Sequence, residues 1–362
     1  MARIVTVYNH WKKPFVLIEM GYIRWLKISQ ALARLGHQVD MATNETAWDE
    51  TQGRDAQVIP LTPNLRRIPL ASVQWSEYDV VKTLFHAGFD TLEAYGGTHH
   101  PFIISKLGSV VGPADMPGIY FYGAVRERLY ATQRKISQTS RYVTVLSKPA
   151  KKLWETCFGR KDNMLLVPGA VDSVVPPPSR DPFPRDGQRR CVFAGNVYLP
   201  HAQPEANFVL VDKLNLLGKL LERRDIRLYM LGTGDVSRLD RDCVSHVGAV
   251  PYEQTWDYLH CAHVGIVVSA GTSMHNNEST KIYHYLRVGL PVVSEAGFPN
   301  DHVVAEARLG FVVENGNLEV MAEKIAEAAG KSWDREQAIR YILDNHTWER
   351  RVEVYDQLIR GA

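Results

Sequence analysis

The apolar residues at the start of the chain change from a strand-like to a helical period. Residues Ile4–Tyr8 form a short β-branched and aromatic run, which predicts a strand. Apolar side chains then recur at the i, i+3, i+4 and i+7 spacing of one helix face, at Ile28, Ala31, Leu32 and Leu35. Gly36 follows them as a helix-ending glycine does, and Gln38–Thr43 has the alternation of a second strand. The chain therefore opens with a βαβ unit.

The rest of the first half continues this rhythm. Further strands are predicted at Asp79–Phe85, Pro101–Ser105, Gly118–Tyr122 and Arg141–Leu146. The segment Arg126–Ser137 can form a helix between two of them. Strands that alternate with helices are typical of a parallel, doubly wound sheet.

A proline-rich segment divides the chain. Residues 173–187 read SVVPPPSRDPFPRDG, and their five prolines exclude a helix or a central strand, so this segment is the predicted linker. Strand-like runs then restart at Arg190–Ala194, Arg227–Leu231, Val244–Val247, Val264–Ser269, Leu290–Ser294 and Phe311–Val313. The predicted fold is α/β, with two Rossmann-like domains, 1–172 and 188–346, facing across a cleft.

The end of the chain has one apolar helical face, formed by Trp348, Val352, Tyr355 and Ile359. We expect residues 347–362 to form a terminal helix that packs back toward the first domain.

Composition narrows the functional classes. Lys and Arg number 42 against 40 Asp and Glu, so the chain lacks the positive field that non-specific nucleic-acid binding needs. The N-terminus enters a strand without the apolar stretch of a signal peptide, and no run approaches the roughly 18 apolar residues of a membrane span. The cysteines have no C-x-x-C or metal-ligand spacing and are expected to be reduced thiols: Cys157, Cys191, Cys243 and Cys261. The sequence predicts a cytoplasmic protein, a location that also allows peripheral contact with the cytoplasmic membrane face.

The segment Asn276–Asn300 carries the clearest chemistry. Ser279 or Thr280 can cap a helix that Gly289 ends, and Lys281 adds a positive charge in its first turn. The amide groups and dipole of a helix start favour anions, so a diphosphate suits this place. The same pattern also fits a helix that merely begins with hydroxyls and an exposed lysine.

Five segments together resemble the second half of GT-B glycosyltransferases, in particular the large group 1 (family 4-like) that includes many bacterial polysaccharide and lipid glycosyltransferases. The segment from Lys281 to Val293 resembles the family's K-l-x-E-Y-l-a-x-G-x-P-V-V signature. The others are Val167–Asp172, Cys191–Asn196, Leu228–Gly234 and His246–Tyr252. The likeness extends over about the last 220 residues, and over the first part only as a fold pattern.

The resemblance implies transfer of a sugar from a UDP- or GDP-sugar to a saccharide, lipid-linked or protein acceptor. The nucleotide sugar is then a co-substrate, and no cofactor is expected. A metal-independent hexosyltransferase-like enzyme is expected, in which cations and a helix dipole neutralise the diphosphate.

The resemblance also assigns donor-site residues. Lys281, Ser279 and Thr280 are expected at the diphosphate, with Gly195 and Asn196 lining the cleft. The loop with Gly248, Val250 and Tyr252 is expected to frame the nucleotide base.

This chain departs from the family's sequence pattern in two places, and these departures limit which residue roles can be transferred to it. The paired glutamates of retaining members fall at Asn276 and His284, and Glu278 is the nearby carboxylate that would replace one of their contacts. The family's phosphate-binding cations fall at Asn196 and near His201, so Lys281 is expected to carry more of the diphosphate charge.

The first domain supplies further candidates at the edge where open α/β sheets bind ligands. His10, Gly21 and Arg24 follow the first strand, with Arg24 expected near the diphosphate. His86 ends the run DVVKTLFH, where a catalytic base, a donor-sugar contact or a structural histidine all fit. The carboxylates that could serve as a general base are Asp90, Asp115 and Glu127.

Aromatic and basic residues also mix near the N-terminus, at Trp11, Lys12, Lys13, Phe15, Trp25 and Lys27. This combination suits a glycan or lipid-head acceptor surface, and an ordinary amphipathic helix followed by a polar loop also explains it.

Two other functional classes remain open. A nucleotide-sugar epimerase can use the same paired domains, and a degenerate nucleotide-sugar-binding protein would explain the missing glutamates and cations. The chain lacks a G-x-x-x-x-G-K-[ST] loop and the G-x-G-x-x-G of a dinucleotide dehydrogenase after strand one.

Overall fold

A computed structural model of the protein describes residues 1–8, 20–43, 58–113, 123–199, 203–271 and 276–361. The chain forms two compact units. Of the described residues, the first contains those up to Pro168 together with 348–361, and the second contains Gly169–Thr347. The proline-rich residues 173–187 have no helix or strand, as predicted, and they lie within the second unit.

The first unit is built around a sheet with strand order β3-β4-β2-β1-β5-β6-β7-β8. All its pairings are parallel except that of β3 with β4. Its strands are β1 (Arg3–Val7), β2 (Gln38–Thr43), β3 (Ile59–Thr62), β4 (Leu65–Pro69), β5 (Val80–Leu84), β6 (Ile103–Lys106), β7 (Tyr142–Val145) and β8 (Met164–Leu166). Its helices are α1 (Met20–Arg34), α2 (Phe85–Ala94), α3 (Gly123–Thr139), α4 (Lys148–Phe158) and α11 (Trp348–Arg360).

The second unit has a wholly parallel sheet with strand order β11-β10-β9-β12-β13-β14. Its strands are β9 (Arg189–Ala194), β10 (Ile226–Leu231), β11 (Val244–Gly248), β12 (Val264–Val267), β13 (Val292–Glu295) and β14 (Gly310–Val313). Its helices are α5 (Pro204–Glu222), α6 (Tyr252–Cys261), α7 (Thr280–Arg287), α8 (His302–Glu306), α9 (Leu318–Gly330) and α10 (Arg335–Asn345). The predicted α/β class with two parallel-sheet domains is confirmed.

The terminal helix α11 is bound to the first unit by its predicted apolar face and by polar contacts. Tyr355, which is fully buried, shares a hydrogen bond of 3.0 Å with the hydroxyl of Thr144 on β7. His37, also fully buried, lies 2.8 Å from a carboxylate oxygen of Asp356. The helix therefore completes the first core, although it comes last in the chain.

Strands β3, β4 and β8 were not predicted, because their sequences lack a strand pattern. β3 contains Pro60 and lies at the sheet edge, where proline is tolerated. β4 reads LRRIP, and its Arg66 binds the buried carboxylate of Asp40 on β2 at 2.7 Å. The predicted strand Gly118–Tyr122 lies outside the described residues.

Candidate donor site

The order of strands in the second sheet marks a ligand crevice. The chain moves from β9 to β10 on one side, whereas β12 pairs with β9 on the other. Ligands of open α/β sheets bind outside the carboxyl ends of the strands at such a switch point. Gly195 and Asn196 directly follow β9, and α7 is the first described helix after β12. The predicted donor residues of this unit therefore meet at one sheet edge.

Two glycine-containing turns pack against each other at this edge. The N–H of Gly195 donates to the carbonyl of Leu231 at 2.8 Å, and Oδ1 of Asn196 accepts from the N–H of Thr233 at 2.8 Å. A β-carbon on Gly232 would lie 2.3 Å from the carbonyl oxygen of Gly195, which explains why this position is glycine. Asn196 thus holds the turn after β10, while its side chain remains exposed.

Ser279 occupies the N-cap position of α7, as predicted, but its hydroxyl makes no capping hydrogen bond to the first turn. Its backbone is instead held by Asn300, which accepts from the N–H of Ser279 and donates to its carbonyl, both at 2.9 Å. The Ser279 hydroxyl oxygen is buried and makes no hydrogen bond within the described residues. Thr280 begins the helix and is half-buried.

Lys281 lies in the first turn of α7, half-buried against β9. Its ammonium is 4.9 Å from the ring centroid of Phe193, and a β-carbon on Gly195 would be 2.7 Å from that nitrogen. Within the described part of the chain it has no hydrogen bond or ion pair. Desolvation lowers the pKa of Lys281 to about 8, because the ammonium loses water without gaining a carboxylate.

Glu278 is held by two donors in the same unit. Its carboxylate accepts from the N–H of Gly169 and, at 3.2 Å, from the hydroxyl of Tyr283. Gly169 leaves little room for a side chain, since a β-carbon there would be 3.1 Å from Oε2 of Glu278. The carboxylate is therefore fixed close to the start of α7.

The position of the family's second glutamate, His284, has a structural role. Its ring stacks on Trp256 with centroids 5.3 Å apart, and Nδ1 lies 2.7 Å from the carbonyl of Thr280. Because a carbonyl only accepts, Nδ1 carries a proton, and Nε2 lies 3.4 Å from the hydroxyl of Tyr252.

Only part of the predicted base-binding loop is accessible. Gly248 has φ of +92° and its carbonyl accepts from the N–H of Gly232 at 2.8 Å, so it borders the same glycine turns. Val250 is half-buried. The side chain of Tyr252 is buried against Trp256 and His284, and this burial, together with Asp172, raises its pKa. Tyr252 is therefore a core residue, and the loop offers backbone and the Val250 side chain.

The first-unit candidates lie at the carboxyl edge of their own sheet. His86 is the second residue of α2 rather than the end of a strand, and it is buried with Nε2 3.1 Å from Oε1 of Gln133. Arg24 is buried on α1, with its guanidinium carbon 5.5 Å from the ring centroid of Phe85. Arg24 therefore belongs to the first unit, whereas Lys281 belongs to the second.

The remaining first-unit candidates are distributed differently. Trp25 is buried and donates to the hydroxyl of Thr6 at 2.8 Å, so it does not contribute to an exposed acceptor surface. Asp90 accepts from Thr132 at 2.7 Å, and Glu127 is exposed on α3. His10, His201, Asp115 and the segment from Trp11 to Phe15 lie outside the described residues.

Asn300 and Tyr283 were not singled out by the sequence, although they fix Ser279 and Glu278. Their roles come from contacts and leave no local pattern.

The four cysteines are free thiols, as predicted. Among the described residues no group of three or more His, Cys, Asp or Glu side chains is arranged to hold a metal ion. No helix in the described ranges has both the length and the apolar character needed to cross a membrane.

Solved structures with this fold are GT-B proteins. Sucrose-phosphate synthase from Thermosynechococcus elongatus superposes with a TM-score of 0.71 at 17% identity, covering 100% of both chains. WaaG, a glycosyltransferase involved in lipopolysaccharide biosynthesis, gives 0.61 at 14% identity, with 99% of this chain and 100% of the other covered. Anabaena HepE in complex with UDP gives 0.65 at 12% identity, with 99% and 100% covered.

The sequence agrees with this fold. Residues 188–330 match the family model of the glycosyl transferases group 1. The chain thus has the GT-B fold, and its second domain is similar to the glycosyl transferases group 1; the match and the fold together support sugar transfer. A comparison with curated proteins finds no match.

Proposed function

We propose that this protein is a metal-independent, hexosyltransferase-like enzyme of polysaccharide or glycolipid biosynthesis. It moves a sugar from a UDP- or GDP-sugar to a saccharide, lipid-linked or protein acceptor. HepE, a neighbour in fold, has been solved with UDP, which supports a uridine nucleotide as the first donor to test.

One observation carries the donor-site proposal: the ammonium of Lys281 is half-buried at the sheet edge and has no anionic partner in the described chain. Burying a cation without a counter-charge costs stability, so a site of this kind is explained by an anionic ligand. The unsatisfied hydroxyl of Ser279, one residue before the same helix, offers a neutral donor beside it.

These groups suit the chemistry of glycosyl transfer. Negative charge grows on the nucleotide diphosphate as the bond to the sugar breaks, and fixed positive charge at that place stabilises the transition state. In the proposed arrangement Lys281, Ser279, Thr280 and the N-terminus of α7 receive the diphosphate, with Gly195 and Asn196 bordering it. Gly248 and Val250 frame the base, and Glu278 contacts the donor sugar or the ribose.

The test is a thermal-shift and calorimetric panel of UDP, GDP and their sugars, with and without EDTA. Lys281→Met removes the charge and keeps most of the side chain that packs on Phe193. Lys331→Met is the matched control, because Lys331 also lies over an aromatic ring, that of Trp333 at 4.4 Å. We expect at least one nucleotide to bind wild type and the control but to lose at least tenfold in affinity for Lys281→Met. Equal nucleotide affinity for wild type and both variants would show that Lys281 does not belong to the nucleotide site.

The panel is followed by product analysis, which separates the three functional classes. A transferase consumes the sugar nucleotide only with an acceptor, an epimerase converts it alone, and a binding protein leaves it unchanged. NMR of the sugar nucleotide distinguishes these outcomes.

We further propose that the enzyme acts in the cytoplasm, with peripheral contact at the membrane face. The four free thiols suit a reducing compartment. Basic side chains exposed on and after α4 favour an anionic lipid surface: Lys148, Lys152, Arg160 and Lys161. Salt-sensitive co-sedimentation with vesicles containing phosphatidylglycerol would support this contact, and its absence would contradict it.

A further inference from the structure

A cavity lies in the first unit, at the switch point of the sheet of that unit. The chain leaves β1 for β2 on one side, while β5 pairs with β1 on the other, so their carboxyl ends flank a crevice. A cavity of about 240 Å³ opens there. It lies below the roughly 300 Å³ at which drug-sized pockets begin, so it suits a ligand of about one sugar ring. The side chains that line it and carry the argument belong to Tyr8, Phe85, His86, Asp90 and Arg128.

One wall of the cavity is held in a conformation that is costly for its residue type. Phe85 has φ of +59°, in the left-handed region that non-glycine residues rarely adopt. Its ring packs edge-on against Tyr8 at 5.7 Å, and a β-carbon on Gly108 would be 2.9 Å from that ring. Strain that surrounding residues enforce in this way is concentrated at functional sites.

His86 presents a defined hydrogen-bond acceptor. The side-chain amide of Gln133 donates through Nε2 to the carbonyl of Val111, so its Oε1 is the oxygen and can only accept. Nε2 of His86, 3.1 Å from that oxygen, must therefore carry the proton. Burial lowers the pKa of His86, which keeps the ring neutral at pH 7. Nδ1 is then unprotonated and can accept a hydrogen bond, and it makes none with the described residues.

The two oppositely charged side chains that line the cavity, Asp90 and Arg128, differ in their partners. The carboxylate of Asp90 is engaged by the hydroxyl of Thr132 at 2.7 Å. The guanidinium of Arg128 is exposed on α3 and forms no ion pair or hydrogen bond with any described residue. A planar guanidinium recognises carboxylate and phosphate groups through two parallel hydrogen bonds.

We propose that this cavity binds an anionic sugar acceptor. Arg128 holds the carboxylate or phosphate group of the acceptor, and Nδ1 of His86 accepts a hydrogen bond from a hydroxyl of the sugar ring. The rings of Tyr8 and Phe85 contact its apolar face. The term acceptor rests on the function proposed above, whereas the site itself rests on these contacts.

Binding of three probes to the full-length protein tests the inference. Glucose, glucuronate and glucose 6-phosphate are titrated without nucleotide, by ligand-observed NMR. We expect one or both anionic probes to bind at least tenfold more tightly than glucose. Comparison of glucuronate with glucose 6-phosphate shows whether the site prefers a carboxylate or a phosphate. Arg128→Gln should abolish this preference and leave the affinity for glucose unchanged.

The matched control is Lys135→Gln, which removes an exposed charge from the same helix outside the cavity; Lys135 pairs with Glu93. Arg128 is exposed, so melting temperatures of both variants should equal that of wild type. Equal affinities for all three probes, or an anion preference that survives in Arg128→Gln, would overturn the assignment.

The two proposals fail separately. Anionic-sugar binding without any nucleotide binding would overturn the transferase and retain the cavity as an anionic-sugar site. Nucleotide binding that depends on Lys281, combined with no preference for anionic probes, would overturn only the cavity.

Discussion

The side chain of Lys281 lies directly over the backbone of Gly195, so that a β-carbon at Gly195 would stand 2.3 Å from Cε of Lys281. The turn after β9 therefore provides the space in which the first helical turn of α7 holds its cation. Neither residue forms the site alone, and substitution of either should affect the same ligand.

Gly195→Ala should displace the ammonium without unfolding the protein. Gly195 is not among the positive-φ glycines, so alanine fits the backbone; the lysine must move, and the Phe193 ring, 3.2 Å from the added β-carbon, must shift slightly. We expect nucleotide affinity to fall about tenfold, or about 1.4 kcal/mol. Calorimetric titration measures this, with Gly330→Ala as control because its nearest outside atom is 3.8 Å away. An unchanged Kd would show that the position of the ammonium does not matter.

Nucleotide affinity should depend on pH through Lys281. The pKa of about 8 leaves the ammonium mostly charged at pH 7 and neutral at pH 9. Since an anionic ligand favours the charged form, affinity should be highest below pH 8 and fall above it, by at most about tenfold per pH unit for one proton. Titration of UDP from pH 6.5 to 9.5 checks this dependence. A slope equally steep in Lys281→Met would assign it to another group.

Tyr283→Phe should impair the chemical step more than donor binding. The hydroxyl of Tyr283 is one of two identified donors that hold Glu278, and the N–H of Gly169 would remain. We expect kcat to fall about tenfold with KM changed less than twofold, because misplaced catalytic groups lose rate rather than affinity. Tyr341→Phe removes a tyrosine–glutamate contact elsewhere in this unit and serves as control. Equal kinetics for both variants would argue against a catalytic Glu278.

Lys82→Met should stabilise the protein, most strongly in neutral and acidic solution. Lys82 is buried over the ring of Tyr355, 4.3 Å from its centroid, and burial lowers its pKa to about 7 from 10.5. Below pH 7 the folded protein carries the full cost of a buried ammonium. Between pH 7 and 10.5 the unfolded chain binds more protons, so wild-type stability rises with pH and the advantage of methionine shrinks. Urea unfolding at pH 6 and pH 9.5 measures both values, and a constant difference would contradict the prediction.

Lys213→Met should destabilise the second unit. Lys213 lies 2.7 Å from Glu295, a fully buried carboxylate that also accepts from the N–H groups of Ser269 and Gly316. Removing the cation leaves a buried charge without its partner, which costs roughly 3–5 kcal/mol. Lys324→Met breaks an exposed pair with Glu327 and an ammonium–ring contact with Phe311, 4.8 Å from its centroid, and should change stability by less than about 2 kcal/mol. Similar unfolding free energies for the two variants would refute the buried-pair argument.

The fold could be predicted further than the site. Strands such as β2 and β9 have apolar patterns that local sequence displays directly, whereas β4, with Arg66 and Arg67, becomes a strand only beside β2. In the site, Lys281 was evident from its place in a helix-start motif. The hydrogen bond between Asn300 and Ser279 could not be predicted from the sequence, because it joins segments that share no sequence pattern.

The sequence by itself determined the alternation of strands and helices, the linker composition and the cation at the start of α7, because backbone period and turn residues are local properties. Tertiary structure decided which side chains remain available to a ligand. Tyr252 and Trp25 became core residues, His86 acquired one fixed tautomer, and Lys281 was placed over Gly195 without an anion. Those outcomes depend on burial and on hydrogen-bond partners brought together from distant parts of the chain, and no local pattern encodes them.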